Sequence, residues 1–253
     1  MRRLSIIGIG AGNPDHITVQ AIKALSDLDA VFLIGKGDDK EDLAQLRKDI
    51  CARYITKPYR IVEAQDPERD RTPANYETAV TDWHTQRAAI YERMIREELS
   101  DGQHGAFLVW GDPSLYDSTL RIVDQVAAMK TVTFELDVIP GITSVQALAA
   151  KHRIPLNRIG ESVHITTGRK LAEEFPHNAD SVVVMLDGEQ AFKTIDGTDL
   201  DIYWGAYIGM KDEILVSGRL PDVAQNIEAV RAQSRREKGW IMDTYLLRKC
   251  AQK

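Results

Sequence analysis

Ala106-Phe107-Leu108-Val109-Trp110-Gly111-Asp112-Pro113-Ser114-Leu115-Tyr116 is the stretch that settles the fold class. Ala106 to Trp110 is an unbroken apolar run, too short for a helix and bounded by glycine on both sides, the pattern of a buried parallel strand that stops abruptly. Gly111 lets a ligand approach the backbone, and Pro113 cannot donate to a sheet ladder. Residues 111–115 are therefore expected as an ordered loop beyond the strand's carboxyl end, where open parallel sheets bind ligands. A second loop of this kind follows in Val138-Ile139-Pro140-Gly141-Ile142-Thr143-Ser144. It closes a strand expected over Thr131 to Ile139, and Thr143 or Ser144 is placed to cap a helix from Val145 to Lys151.

The rest of the chain supports an α/β protein. Its 253 residues suffice for one large domain or two smaller ones, and the 43% hydrophobic share is spread out. No run approaches the roughly 20 apolar residues that cross a bilayer, so no membrane partner is expected. Met1-Arg2-Arg3 leads straight into a strand without a small-residue cleavage site, so no signal peptide is expected. Cys51 and Cys250 show neither CxxC spacing nor a disulfide framework, which points to a reducing cytoplasm. The histidines form no ligand motif, so no metal is expected. A net charge of −6 argues against nucleic acid.

Leu4 to Ile9 runs into the turn Gly10-Ala11-Gly12-Asn13-Pro14-Asp15, the usual opening of a nucleotide-binding domain. A dinucleotide fingerprint fits it poorly. The glycines fall at 8, 10 and 12, Pro14 delays the helix, and the next strand, Ala30 to Ile34, ends in Gly35-Lys36 instead of an acid for a ribose. Helices are expected over Thr18 to Leu28 and Asp38 to Tyr54, with a strand from Ile61 to Ala64 and a charged loop from Gln65 to Arg71. Thr72-Pro73 starts a helix of roughly 40 Å running to Leu99, with Trp83, Arg87, Ile90 or Tyr91, and Met94 on one face. A helix over Ser118 to Met129 follows, and the domain boundary is placed there, giving domains of residues 1–117 and 118–253. Beyond it, strands at Val163 to Thr166, Ser181 to Leu186, Asp201 to Ile208 and Trp240 to Leu247, with helices near 189–195 and 223–232, suggest a mixed sheet.

Taken together, Gly8-x-Gly10-x-Gly12-x-Pro14-Asp15, Trp110 to Tyr116, Pro140 to Ser144 and Val182-Val183-Val184-Met185 resemble the S-adenosylmethionine-dependent tetrapyrrole methylases over nearly the whole chain. The insertion Arg71-Thr72-Pro73-Ala74-Asn75-Tyr76 with Asp82-Trp83-His84 resembles, within them, the deacetylating branch of aerobic cobalamin biosynthesis that methylates C1 of precorrin-5. A sister precorrin or uroporphyrinogen methyltransferase is the alternative. The resemblance implies a two-domain fold with a mostly parallel N-terminal sheet, a mixed C-terminal sheet and the cofactor between them. It also implies a homodimer.

It further implies S-adenosylmethionine held by Trp110, Gly111, Asp112 and Leu115, by Thr143 and Ser144, by Met185 and by backbone near Ala206, with S-adenosylhomocysteine as product. Relatives often carry proline where this chain has Ala11, which sets the first loop apart. Methyl transfer needs alignment of donor and carbon nucleophile, whereas loss of an acetyl group needs an activated water. Asp15, Tyr76, Asp82, His84 and Tyr116 are the candidates for base or proton donor. Arg69, Arg71, Arg87, Arg121, Arg169 and Lys170 are the candidates for meeting substrate carboxylates. An oxidoreductase with a Rossmann-type cofactor and a non-catalytic tetrapyrrole carrier are the rival classes.

Overall fold

The computed structural model describes residues 1–35, 41–67 and 76–250. It divides into two compact units, residues 1–10 with 14–142, and residues 11–13 with 143–253.

The first unit is built on a five-stranded sheet of order β3-β2-β4-β1-β5, in which every pairing is parallel. Its strands are β1 (Arg2–Gly8), β2 (Ala30–Gly35), β3 (Arg60–Gln65), β4 (His104–Val109) and β5 (Phe134–Ile139). Its helices are α1 (Val19–Leu25), α2 (Glu41–Tyr54), α3 (Tyr76–Glu98) and α4 (Thr119–Met129). Successive strand residues face opposite ways, so each central strand feeds two cores. Leu4, Ile6, Phe32, Phe107 and Val109 pack on one face with Tyr91, Met94 and Ile95 of α3 and Ile122, Val123 and Val126 of α4. Ile7, Val31, Ala106 and Leu108 pack on the other with Ala21 and Leu25 of α1 and Ile50 and Cys51 of α2. Within α3 it is Tyr91 that turns inward, stacking on Phe107 with centroids 4.2 Å apart.

This layering positions the site. β1 and β4 are neighbours, yet the chain leaves β1 for a helix on one face and leaves β4 for a helix on the other. Parallel sheets take their ligands at such a reversal, beyond the carboxyl ends of the strands.

The boundary expected after Asp117 falls after Ile142 instead. α4 and β5 belong to the first unit because β5 pairs with β1 from Arg2↔Phe134 to Ile7↔Ile139, completing a sheet begun at the amino terminus.

The second unit holds a mixed sheet of order β6-β7-β10-β8-β9, with β6 (Val163–Thr167), β7 (Ser181–Met185), β8 (Leu200–Ala206), β9 (Ile214–Arg219) and β10 (Asp243–Lys249). Only the β6 and β7 pairing is parallel. Its helices are α5 (Ser144–His152), α6 (Gly168–Glu173) and α7 (Leu220–Lys238). β9 and α6 had no counterpart in the sequence reading. β9 alternates between half-buried and exposed residues along the sheet edge, and its apolar run is only the three residues Ile214-Leu215-Val216. α7 begins at Leu220, earlier than expected, with proline in its first turn, and stops at Gly239 with φ 76°. The helix expected near 189–195 is one 3-10 turn, Ala191–Lys193, whose first N–H is taken by the Asp187 carboxylate at 2.7 Å.

Candidate active site

In the first unit the loops after β1, β4 and β5 meet backbone to backbone. Gly10 and Gly111 form an isolated bridge, the Gly111 N–H donating to the Gly10 carbonyl at 2.8 Å. Gly111 has φ 68°, a conformation glycine adopts without strain. A Cβ on Gly8 would stand 2.6 Å from the Gly141 nitrogen, and one on Gly141 would fall on the Gly111 carbonyl oxygen. Three glycines from three strands are therefore packed against one another.

Asp112 locks this contact. Its Oδ2 accepts from the Gly141 N–H at 2.8 Å, and its Oδ1 accepts from the Ser114 N–H at 2.8 Å and from the Ser114 hydroxyl. Partial burial raises its pKa, but the bonds from Ser114 and Gly141 outweigh that and hold the carboxyl below its ordinary value. The side chain of Asp112 thus ties two loops together, and its neighbours present the surface. Trp110 stands at the end of β4 with its indole N–H buried and without a protein partner. Leu115, further along the same loop, is half-buried.

In the second unit Thr143 caps α5, accepting from the Val145 N–H at 3.2 Å, while Gln146 reaches back to the Thr143 N–H at 3.1 Å in a reciprocal capping box. Thr143 is thereby committed to the helix start. Ser144, the first residue of α5, has its Oγ 3.3 Å from Oγ1 of Thr244 on β10. Thr244 lies between Met185 of β7 and Gly205 of β8, and Asp243 before it pairs with Ala206. Three residues far apart in sequence, Ser144, Met185 and Ala206, thus gather around Thr244, which is only 3% exposed. Sequence reasoning missed Thr244, and no local signal marks it. Its place follows from the pairing of β10 between β7 and β8.

Residues 3–224 match the family described as Tetrapyrrole (Corrin/Porphyrin) Methylases. The chain belongs to that family. This tetrapyrrole methylase is 56% identical, over 99% of its length and 97% of the relative's, to a precorrin-6A synthase (deacetylating) of Sinorhizobium sp. It is 40% identical, with a TM-score of 0.85, to a crystal structure described as a cobalamin synthesis related protein (CobF) from Corynebacterium diphtheriae, covering 99% of this chain and 100% of that one. A uroporphyrin-III C-methyl transferase from Thermus thermophilus, complexed with S-adenyl homocysteine, has a TM-score of 0.61 at 16% identity, over 97% of this chain and 91% of that one. At that identity it shares the fold alone.

Of the five candidates for proton transfer in the methylase's first unit, three lie on α3 and the other two in the segments after β1 and β4. Asp15 lies in the 3-10 turn after β1, exposed, with Oδ1 2.8 Å from an Arg53 nitrogen. Tyr76 opens α3, and its side chain lies outside the described residues. Asp82 and His84 follow on α3, two residues apart and so roughly 200° apart around the helix, too far to share a face. Asp82 is exposed, and the half-buried His84 ring lies 5.4 Å from that of Trp83. Tyr116 is 45% exposed with φ 51°, and burial pushes its phenol pKa up, which suits a proton donor better than a base.

Of the arginine candidates, Arg87 is buried and spent internally. Its Nε stands 2.8 Å from an Asp66 oxygen, a terminal nitrogen donates to the Ser118 hydroxyl at 3.0 Å, and its plane covers the Trp83 ring. Arg69 and Arg71 lie outside the described residues.

One arrangement mimics hydrolytic chemistry. Nε2 of His104 is 2.8 Å from the Ser5 hydroxyl, and Nδ1 is 3.4 Å from an Asp27 oxygen. Ser5 is 1% exposed within β1, and His104 opens β4 at the end of the sheet away from the loops. No substrate reaches that hydroxyl, so the group is a buried tie between strands. Among the described residues no cluster could hold a metal, and no helix is long and apolar enough to cross a membrane.

Proposed function

We propose that the methylase converts precorrin-5 to precorrin-6A, consuming S-adenosylmethionine and water and releasing S-adenosylhomocysteine and acetate, with methylation at C1. The support is its likeness, near full length, to a protein of that name at 56% identity. A homodimer in the cytoplasm is part of the same proposal. Bound S-adenosylmethionine would supply a methyl group on a sulfonium.

The residues present suit such a donor. The partnerless Trp110 N–H awaits an acceptor, the glycine turns offer backbone groups at close range, and Met185 gives polarizable apolar packing beside the Ser144 and Thr244 hydroxyls. Trp110, Gly111, Leu115, Thr143, Ser144, Met185 and Ala206 are proposed to contact it, with Asp112 holding the loop. Their task is alignment at about 3 to 3.5 Å and exclusion of water from the sulfonium.

For loss of the acetyl group, a base among Asp15, Tyr76, Asp82 and His84 takes a proton from water as its oxygen bonds to the acetyl carbonyl. The bond from that carbonyl to the ring carbon breaks, its electron pair passes to the ring, and the ring carbon then takes the methyl. Tyr116 donates its proton to the acetyl carbonyl oxygen as water adds and takes it back as the tetrahedral adduct collapses, while the base releases its proton to solvent. Acetate and the sulfide leave, so atoms and electrons balance.

One incubation tests this. Enzymatically generated precorrin-5 and methyl-labelled S-adenosylmethionine are supplied, and tetrapyrrole mass is followed together with free acetate. Label gained with stoichiometric acetate is expected. Label without acetate would mean a sister methyltransferase, and donor binding without label transfer would sink the proposal.

Thr244 gives a sharper check on the donor site. Thr244→Val keeps the shape and removes the hydroxyl, whereas Thr244→Ser keeps the hydroxyl. If the hydroxyl orients Ser144 toward the donor, the valine variant binds S-adenosylhomocysteine about fivefold more weakly, the worth of one hydrogen bond, and the serine variant binds nearly as wild type. The reverse order in calorimetric titration would make Thr244 a packing residue.

A further inference from the structure

Arg47 lies on α2, and its guanidinium reaches the carboxyl end of β4. Nε donates to the carbonyl of Leu108 at 3.1 Å, and a terminal nitrogen donates to the carbonyl of Leu43 at 3.0 Å. Leu108 stands just before the loop that begins at Trp110, and Asp117, whose charge Arg47 feels, stands where that loop ends. The arginine therefore underlies both ends of the segment that carries Gly111 and Asp112.

Its charge is poorly compensated. Burial is the main influence and pulls its pKa down, while Asp117 opposes this from a distance. An oxygen of that aspartate is already engaged by the Thr119 N–H at 2.6 Å. Among the described residues no carboxylate comes within ion-pair distance of Arg47, whereas Arg87 has Asp66 at 2.8 Å. Two neutral carbonyls hold the guanidinium in place without neutralising it, and among the described residues the second terminal nitrogen, with its two N–H groups, meets no acceptor. A half-buried cation not matched by an anion carries part of its desolvation cost uncompensated, and a planar guanidinium suits a carboxylate.

We propose that Arg47 anchors a peripheral carboxylate of the tetrapyrrole substrate at the carboxyl end of β4. The inference rests on the function proposed above. It also answers a difficulty in that function, because a macrocycle carrying several carboxylates must dock on a protein of net charge −6 and needs a local cation to do so.

Arg47→Met and Arg47→Lys, assayed by initial rates with precorrin-5 and S-adenosylmethionine, test the inference. The methionine variant is expected to raise KM for the macrocycle at least about tenfold, in keeping with loss of a charge-assisted contact. Its KM for the methyl donor should stay within about twofold, which a mere clamp between α2 and β4 would not respect. The lysine variant keeps the charge and loses the planar fork, so an intermediate rise is expected, and it carries the test if the methionine variant does not fold.

A second assay needs no turnover. Quenching of tryptophan fluorescence by uroporphyrin, a stable polycarboxylate, should weaken in both variants and be more salt-sensitive in wild type than in the methionine variant. An unchanged macrocycle KM in both variants, or equal rises for macrocycle and donor, would overturn the anchor. Wild-type protein that bound uroporphyrin through Arg47 but released no acetate from precorrin-5 would overturn the proposed reaction and leave the anchor standing.

Discussion

Gly141→Ala is expected to lower kcat/KM for methyl transfer by at least about a hundredfold while leaving both sheets folded. The new methyl group would fall on the carbonyl oxygen of Gly111 and stand 2.8 Å from the carbonyl carbon of Gly8. Both neighbours are backbone, so no side chain can swing aside to make room. Relief must come from moving the loop after β5 away from the loop after β4, which also stretches the bond from the Gly141 N–H to Asp112. Overpacking of this kind costs about 1 to 3 kcal/mol of stability, too little to unfold a domain with two well-packed cores. Its effect on activity is larger because reacting atoms misplaced by about 1 Å lose roughly a hundredfold in rate. Gly188→Ala is the control, since a Cβ there meets nothing within 4 Å. Circular dichroism together with S-adenosylhomocysteine titration would show a folded protein with impaired binding. An alanine variant within threefold of wild type would mean that the contact of the three glycines does not shape the site.

The second large effect is expected in the buried charge network of the second unit. Arg231 donates to Asp243 at 2.9 Å through Nε and to the Asp187 carbonyl at 3.0 Å, and Asp243 also accepts from the Trp204 indole at 3.0 Å. Asp187 in turn accepts from the Tyr245 hydroxyl at 2.6 Å. The side chains of Arg231 and Asp243 are 7% and 6% exposed. Arg231→Met leaves Asp243 buried without its cation, which costs about 3 to 5 kcal/mol.

The pH dependence follows from the sign of the shift. Burial already raises the Asp243 pKa against the pull of Arg231, and removing Arg231 raises it further. A carboxyl whose folded pKa exceeds its unfolded value of about 3.9 contributes stability that is fully present below that value and lost as pH rises through the folded pKa. The gap between wild type and Arg231→Met should therefore be narrow near pH 4 and widen toward pH 8. Adding Asp243→Asn, which keeps an acceptor for Trp204, should recover much of the loss. Denaturant unfolding of the four proteins in the cycle, followed by tryptophan fluorescence, measures it. A gap independent of pH, or no recovery in the double variant, would show that the cost lies in packing around Arg231. Because Asp243 adjoins Thr244, a weakened network should also loosen S-adenosylhomocysteine binding.

What the amino-acid sequence determined by itself was local. The apolar run before Gly111-Asp112-Pro113 specified a buried strand and the loop beyond it, and Pro140-Gly141 specified a second such loop. Thr143 or Ser144 marked a helix start, because a cap lies next to the helix it opens, and the structure made Thr143 the cap, in a box with Gln146. Turn chemistry and short periodicities carry their cause within a few residues, so they are legible without the fold. The family resemblance was legible for the same reason, being carried by these turns in a fixed order.

Only the tertiary structure decided which distant segments complete one another. β5 belongs to the first unit because its hydrogen-bonding partner is β1, at the far end of the chain from it in that unit. Asp112, read as a cofactor contact, has its carboxylate engaged by Gly141 across from another strand. Thr244 joins Ser144, Met185 and Ala206 only because β10 inserts between β7 and β8. Arg47 became notable only once its half-buried guanidinium was seen at the end of β4 with no carboxylate among the described residues at ion-pair distance. Strand order, burial and charge compensation are sums over neighbours brought together by packing, and no window of sequence contains those neighbours.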